Sequence, residues 1–170
     1  MSRPPPLALS FIALGSNVAG RSTRPTDTVE AAIVALQGPE ITLISRSRLY
    51  RSTAWPDPAD PEFINAMISV ETSLAPDAML TRLHAIEAEF GRVRRQVNAP
   101  RTLDLDIIDF AGRVSAPGDN PILPHPRLAD RAFVLLPLAE IAPDWRHPVS
   151  GATIRELIRA LPDPQAATPL

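Results

Sequence analysis

Cysteine is absent from the 170 residues. Its absence excludes disulfides, thiolate-ligated zinc, iron–sulfur clusters and a thiolate nucleophile, and it leaves the redox compartment open. Lysine is absent too, since all 17 basic residues are arginine. A Schiff-base lysine and a Walker lysine are therefore ruled out. A protein of this composition that handles phosphate must do so with guanidinium groups, whose planar fork grips two oxygens at once. Three histidines leave little room for an imidazole-based metal site. Net charge is only -2, so no global positive field draws the chain to nucleic acid or anionic lipid, and an anion site must be a local cluster. The apolar run Leu7–Leu14 falls far short of the ~20 residues a membrane span needs. Only Arg3 precedes it and no A-x-A cleavage site follows, so a signal peptide is not expected either. We read the chain as cytoplasmic and monomeric, with no membrane or nucleic-acid partner.

Hydrophobic residues make up 45% of the sequence, enough for one well-packed domain. We take it to cover 1–170, with its core at about 7–160 and disordered ends at 1–6 and 162–170. Leu7–Leu14 (LALSFIAL) reads as a central strand closed by the turn residues Gly15-Ser16-Asn17. Thr28–Gln37 reads as a helix capped by Asp27 or Thr26, and Ile41–Arg51 as a strand. Ser52–Pro61 carries three prolines and reads as a loop. Phe63–Thr72 reads as a strand and Asp77–Phe90 as a helix ending at Gly91. Arg92–Pro100 is an arginine-rich loop, Arg101–Phe110 an alternating strand, Pro124–Arg127 a rigid corner and Arg131–Ile141 a helix. Thr153–Leu161 is a short helix with Thr153 and Glu156 in capping-box spacing. This order matches the ferredoxin-like βαββαβ plan of an α+β domain, a mostly antiparallel sheet with flanking helices and a helical C-terminal extension. That plan hosts many functions, so function must be argued from the site.

The richest segment is RTLDLDI. On a strand, Asp104 and Asp106 project from one face while Leu103, Leu105 and Ile107 project from the other. Two carboxylates so close repel unless a cation lies between them. Mg suits the place, because it takes one or two carboxylates and completes its shell with water and phosphate oxygens. A solvated acidic strand face fits the same spacing. Arg92, Arg94 and Arg95 precede this strand, Arg101 opens it and Arg131 lies downstream. Carboxylates ringed by arginines are the parts of phosphoryl transfer, although surface ion pairing would look similar. Asn65, in an apolar strand, offers donor and acceptor together for a heterocycle edge, or simply turns to solvent. Phe63 and Phe133 are suited to stacking on a flat ring or to the core. Trp55 lies in the proline-rich loop, His125 in the stiff PHPR corner and Glu87 on the second helix.

LGSN, Tyr50-Arg51-Ser52, PEFINA, GRVR, PRTLDLDI, PHPR and RAFVLLPLAEIAP occur in the order seen in the 6-hydroxymethyl-7,8-dihydropterin pyrophosphokinase family of folate biosynthesis, and the chain resembles that family over about 7–160. The resemblance implies an ATP-dependent diphosphokinase. Asp104 and Asp106 would hold two Mg ions on the ATP phosphates, and Arg92 and Arg101 would assist transfer. Arg94 would sit in a mobile loop. Gly15, Ser52, Thr53, Trp55, Phe63, Asn65 and Phe133 would form the pterin pocket, with Asn17 in the turn beside it. Glu87, Arg92, Arg94, Arg101, Ile107, His125 and Arg131 would contact ATP. The chain departs from the family at Val97-Asn98-Ala99, where an Arg-Trp pair is common. It departs again at Thr53, at Pro126, and at Asn120 and Ile122. A Mg-dependent nucleotidyltransferase or phosphohydrolase would share the acidic pair and the arginines, and a ligand-binding module would share the fold.

Overall fold

The computed structural model describes residues 6–18, 24–54, 57–92 and 102–170. The first strand, β1 (Ala8–Ser16), is hydrogen-bonded along both edges. One neighbour is β4 (Phe63–Thr72), from Ala8 opposite Thr72 to Ser16 opposite Ile64. The other is β5 (Asp104–Phe110), from Ser10 opposite Phe110 to Gly15 opposite Asp104. The near-continuous apolar run has a physical reason, because this strand is covered on both faces. Ile12 and Leu14 join one apolar cluster, and Phe11 joins another on the opposite side of the sheet.

The stretch read as a single strand, Ile41–Arg51, is two: β2 (Ile41–Arg46) and β3 (Tyr50–Ser52), both antiparallel to β4. Ser47 makes the break. Its N–H donates to the Met67 carbonyl at 2.9 Å, and its hydroxyl oxygen accepts from the Met67 N–H at 3.0 Å. A side chain thus takes over one rung of the ladder, and alternation alone does not reveal it. Across the sheet the order is β5-β1-β4-β3, with β2 also on β4. This is the ferredoxin-like arrangement, with β2 and β3 together serving as its second strand.

Helices α1 (Pro25–Leu36) and α2 (Pro76–Glu89) cover one face. Val29, Ala32, Ile33 and Leu36 from α1, and Met79, Leu83 and Ile86 from α2, recur at helical spacing and are buried. Both helices begin with proline in the first turn, where its missing N–H costs nothing. Neither Thr26 nor Asp27 caps α1. Asp27 lies within the first turn and pairs with Arg24 at the cap position, 3.0 Å away. Gly91, at φ 83°, closes α2 in the left-handed region, where glycine carries no Cβ penalty.

Helices α3 (Ala132–Ile141) and α4 (Ile154–Ala160) cover the other face, packing Val134, Leu135, Leu138 and Ile154 against Phe11, Tyr50, Met67 and Ile108. The Thr153–Glu156 capping box forms as read. Buried Asp109 at the end of β5 accepts from Trp145 Nε1 at 2.7 Å, tying the α3–α4 connection to the sheet. Residues 162–170, read from the sequence as disordered, instead return to the sheet as β6 (Ala167–Pro169), antiparallel to β3. The free edge of β3 supplies the partner groups, and Ala167 is buried in the second cluster. Residues 1–5 lie outside the described residues. Among the described residues, no helix is long and apolar enough to cross a membrane.

Glu140 fastens α3 to β3 and the residues just before it. Its carboxylate accepts from the Arg48 N–H at 2.9 Å, from Arg48 Nε at 3.3 Å and from the Tyr50 hydroxyl at 2.9 Å. Burial opposes its charge, but these donors outweigh burial and hold its pKa below the ordinary 4.5. A depressed carboxylate stabilises the fold above its unfolded-state pKa and loses that contribution as pH falls through the folded one. Glu140→Gln is therefore expected to cost about 1–3 kcal/mol at pH 7. Thermal melts should show the gap from the parent closing as pH drops below about 4.

Candidate active site

One end of the α3-covered face is not filled by the apolar cluster, and this is where the polar residues of the sheet gather. Along β4 the residues on this face run Met67, Asn65, Phe63, and along β1 they run Phe11, Ala13, Gly15. Along β5 they run Ile108, Asp106, Asp104. Each series starts in the core and ends in a cleft of about 640 Å³. The register places Asn65, Gly15 and Asp104 side by side on three adjacent strands. Asn65 and Asp104 are thus two strand spacings apart, roughly 10 Å across the floor.

Gly15 leaves that floor low. A Cβ there would stand 3.4 Å from Asn65 Oδ1 and 3.7 Å from the Phe63 ring, covering the amide rather than clashing with it. Asn65 is buried, and its Nδ2 donates to the Ser52 hydroxyl at 2.9 Å. One amide donor is thereby committed, which fixes how the side chain faces the cleft. Thr53 and half-buried Phe63 and Phe133 line the same end. The Arg131 guanidinium lies over the Phe133 ring at 5.4 Å, a cation–π contact that holds both at the mouth.

The opposite wall is ionic. Arg92 Nη1 donates to Asp104 Oδ1 at 2.5 Å and to Glu87 Oε1. Glu87 Oε1 also accepts from the Leu105 N–H at 2.8 Å, and only 2% of the Glu87 side chain is exposed. Glu87 therefore stands behind Arg92 instead of opening onto the cleft. Asp106, with 38% of its side chain open to the cleft, faces His125 Nε2 at 3.9 Å. Burial of its inner part pushes the Asp106 pKa up, and the neighbouring Asp104 charge pushes further, against the pull of His125, Arg131 and Arg92. Burial also lowers the His125 pKa, with Arg131 and Arg127 adding to it against Asp106. A neutral imidazole follows. Its Nδ1 accepts from the Arg127 N–H at 3.1 Å, so the proton sits on Nε2, the atom turned to Asp106.

The fold thus brings together Gly15, Ser52, Thr53, Phe63, Asn65, Arg92, Asp104, Asp106, His125, Arg131 and Phe133 around one space. The Ile107 side chain is buried with the opposite cluster, which leaves its backbone as the part that the resemblance assigns to the nucleotide. Asn17, in the turn after β1, donates to the Pro61 carbonyl at 3.1 Å. Trp55, Arg94, Arg95 and Arg101 lie outside the described residues. The sequence reading missed Ala13, although small residues at alternating positions 13 and 15 are a legible sign of an open strand face. It also missed Arg127, although that residue closes the PHPR motif, and Asp130, Leu161, Pro162, Asp163 and Ala166, which line the cleft without any local motif.

The donor set suits a hard cation. Two carboxylates project from one strand face, and among the described residues no cluster of three or more His, Cys, Asp or Glu surrounds them. That pattern fits Mg, which keeps waters and phosphate oxygens in its shell, better than an ion that demands an all-protein cage.

Fold and cleft together define a ferredoxin-like α+β domain in which a carboxylate–guanidinium wall faces an amide-and-aromatic pocket. A family model described as 7,8-dihydro-6-hydroxymethylpterin-pyrophosphokinase matches residues 11–143, and the chain belongs to that family. It is 43% identical over 155 residues to the 2-amino-4-hydroxy-6-hydroxymethyldihydropteridine pyrophosphokinase of Pseudomonas aeruginosa, covering 89% of this chain and 91% of that protein. To the Synechocystis protein of the same name it is 48% identical over 112 residues, covering 66% of this chain and 56% of that one. It is 39% identical to the folic acid synthesis protein fol1 of Pneumocystis carinii, covering 90% of this chain but only 20% of fol1. The chain thus spans a fifth of fol1 and just over half of the Synechocystis protein. Its fold matches that of wild-type Plasmodium falciparum HPPK-DHPS with pteroate, at a TM-score of 0.70 and 15% identity, over 94% of this chain and 43% of that one.

Glu87 gives a structural test of the ionic wall. Glu87→Ala leaves the buried Leu105 N–H without an acceptor, a loss of about 1–3 kcal/mol. Glu87→Gln keeps a carbonyl oxygen for it and should lose less. Urea titrations should rank the parent above Glu87→Gln and Glu87→Gln above Glu87→Ala.

Proposed function

We propose that this chain transfers the diphosphate of ATP to the hydroxymethyl group of 6-hydroxymethyl-7,8-dihydropterin, releasing AMP, as a step of folate synthesis. The observation that carries this reading is the row Asn65–Gly15–Asp104. It sets a heterocycle-reading amide and a phosphate-side carboxylate on either side of an open glycine floor, at about the span of a bicyclic ring with a one-carbon arm.

In this reading Asn65, oriented by Ser52, pairs with the edge of the pterin, and Phe63 and Phe133 take its faces. Gly15 lets the ring lie low, and Thr53 and Trp55 complete the pocket. The ring edge then fixes where the hydroxymethyl oxygen points, which supplies the orientation that an in-line displacement requires. That oxygen bonds to the β-phosphorus of ATP, the bridge from the β-phosphorus to the α-phosphate oxygen breaks, and AMP departs with the electron pair. The hydroxyl proton is released to solvent. Asp104 and Asp106 would hold two Mg ions, which when bound neutralise phosphate charge and polarise the phosphoryl oxygens. Arg92 stands beside Asp104 and presents its guanidinium to the charge that develops on the transferring group. Glu87 holds Arg92 in place instead of touching ATP. Arg131 and His125 line the nucleotide side, with Arg101 and Arg94 completing the cationic set.

Asp104→Asn and Asp106→Asn should each slow AMP release by about a hundredfold, or ~2.7 kcal/mol, and weaken Mg binding, with melting temperatures near that of the parent. Chromatography of the nucleotide product checks the reaction itself. Pyrophosphate or inorganic phosphate in place of AMP would mark a nucleotidyltransferase or a phosphohydrolase instead. Asn65→Ala should weaken pterin binding about tenfold or more, as expected when a buried hydrogen-bonding site loses its reader. ATP affinity, measured by calorimetry on the same sample, should stay unchanged.

A further inference from the structure

We infer that the C-terminal segment, residues 161–170, is a working wall of the pterin pocket and a positioning element for Ser52 and Asn65. This inference rests on the substrate reading above, and it concerns residues that carry no motif. β3 is only three residues long and holds the hydroxyl on which Asn65 depends. One of its edges pairs with β4 and the other with β6, in a register that sets Ser52 opposite Ala167, Arg51 opposite Thr168 and Tyr50 opposite Pro169.

Beyond the strand, the Leu170 N–H donates to the Leu49 carbonyl at 2.9 Å. Antiparallel ladders alternate hydrogen-bonded and open pairs. With Leu49 and Leu170 bonded, Arg51 and Thr168 form the next bonded pair. Pro169 then falls at an open pair, where its missing N–H interrupts no rung of this ladder.

The same segment reaches the ligand space. Leu161, Pro162, Asp163 and Ala166 line the cleft that Ser52 and Asn65 line. Leu161 and Ala167 are buried at 6% and 4% exposure, so the stretch between them is pinned at both ends. The turn is closed within itself, the Gln165 N–H donating to Asp163 Oδ1 at 2.9 Å and the Ala166 N–H to the Asp163 carbonyl at 3.3 Å. A wall anchored in this way bounds the pterin end of the cleft. Its strand also keeps Ser52 at the distance that orients the Asn65 amide, whereas Asp104 and Asp106 stand on β5, at the far side of the sheet.

Two point variants separate these roles from general stability. Ala166 is exposed, so Ala166→Trp adds bulk to the wall without disturbing the core. Thr168→Pro removes the donor at the bonded pair while keeping Leu161, Pro162, Asp163 and Ala166, the residues of the segment that line the cleft. Pterin and Mg-ATP binding are each titrated by calorimetry on both variants and on the parent. The expected result is a tenfold or greater loss of pterin affinity for Ala166→Trp and a three- to tenfold loss for Thr168→Pro, with ATP affinity within twofold of the parent. Pterin affinity unchanged in both variants overturns the inference, as does a loss of ATP affinity in equal proportion. Should Thr168→Pro fail to fold, Ala166→Trp decides alone by the same criteria. A parent that binds no reduced hydroxymethylpterin overturns the substrate reading, and this inference with it. A parent that binds, alongside variants that bind equally well, overturns only the role assigned to the C-terminal segment.

Discussion

β1 is hydrogen-bonded on both edges, to β4 and to β5, and this double pairing places the contents of the cleft. Because the register on each side is fixed, Gly15 has Asn65 on its left and Asp104 on its right, and Ala13 has Met67 and Asp106. A slip of one residue on either edge would turn one set of these side chains to the opposite face of the sheet. The apolar partners Ile12 and Leu14, locked beneath α1 and α2, prevent that slip, since it would carry them out of their cluster. The chemistry at one end of the strand is therefore held by hydrophobic packing along its length.

The two faces of the sheet do different work. Under α1 and α2 the apolar contacts run across the sheet, from Ile41 at the edge strand to Leu105 and Ile107 on β5. Under α3 and α4 the apolar residues stop at Met67, Phe11 and Ile108, and the next residue on that face of each strand opens into the cleft. The covering helix begins at that border. Arg131, at the cap position of α3, and Phe133, in its first turn, stand over the cleft, while its later residues Leu135 and Leu138 fill the apolar cluster beyond it. Binding groups in such an arrangement are rigid, because each sits one step from a packed core residue on a regular element.

Like charges are brought together here at a cost that the surroundings manage in separate ways. Asp104 shares Arg92 with Glu87, and Glu87 in turn serves the Leu105 backbone. Among the described residues Asp106 faces the His125 nitrogen at 3.9 Å, and burial, followed by the adjacent Asp104 charge, raises its proton affinity. The pair is thus asymmetric, with one carboxylate engaged by protein and the other facing open space. A hard cation with phosphate ligands would complete such an arrangement.

Much of this was legible in the residues themselves. Strand and helix periodicity located β1, β4, α1, α2 and α3 to within a few residues, because each buries a face whose spacing shows in the sequence. Alternation placed Asp104 and Asp106 on one side of their strand, since that depends only on the two-residue repeat of extended chain. Other features depend on partners distant in sequence and left no local trace. Ser47 interrupts the edge strand through a bond to Met67, and Glu87 is turned inward by Leu105 and Arg92. The C-terminal residues, polar and proline-bearing, look unstructured alone and become ordered because β3 offers them a free edge and the second cluster a place for Ala167. Residue types and local geometry were set by the sequence directly. Which of those residues meet across one cleft was decided by strand register and layer packing, which exist only once the whole chain has closed on itself.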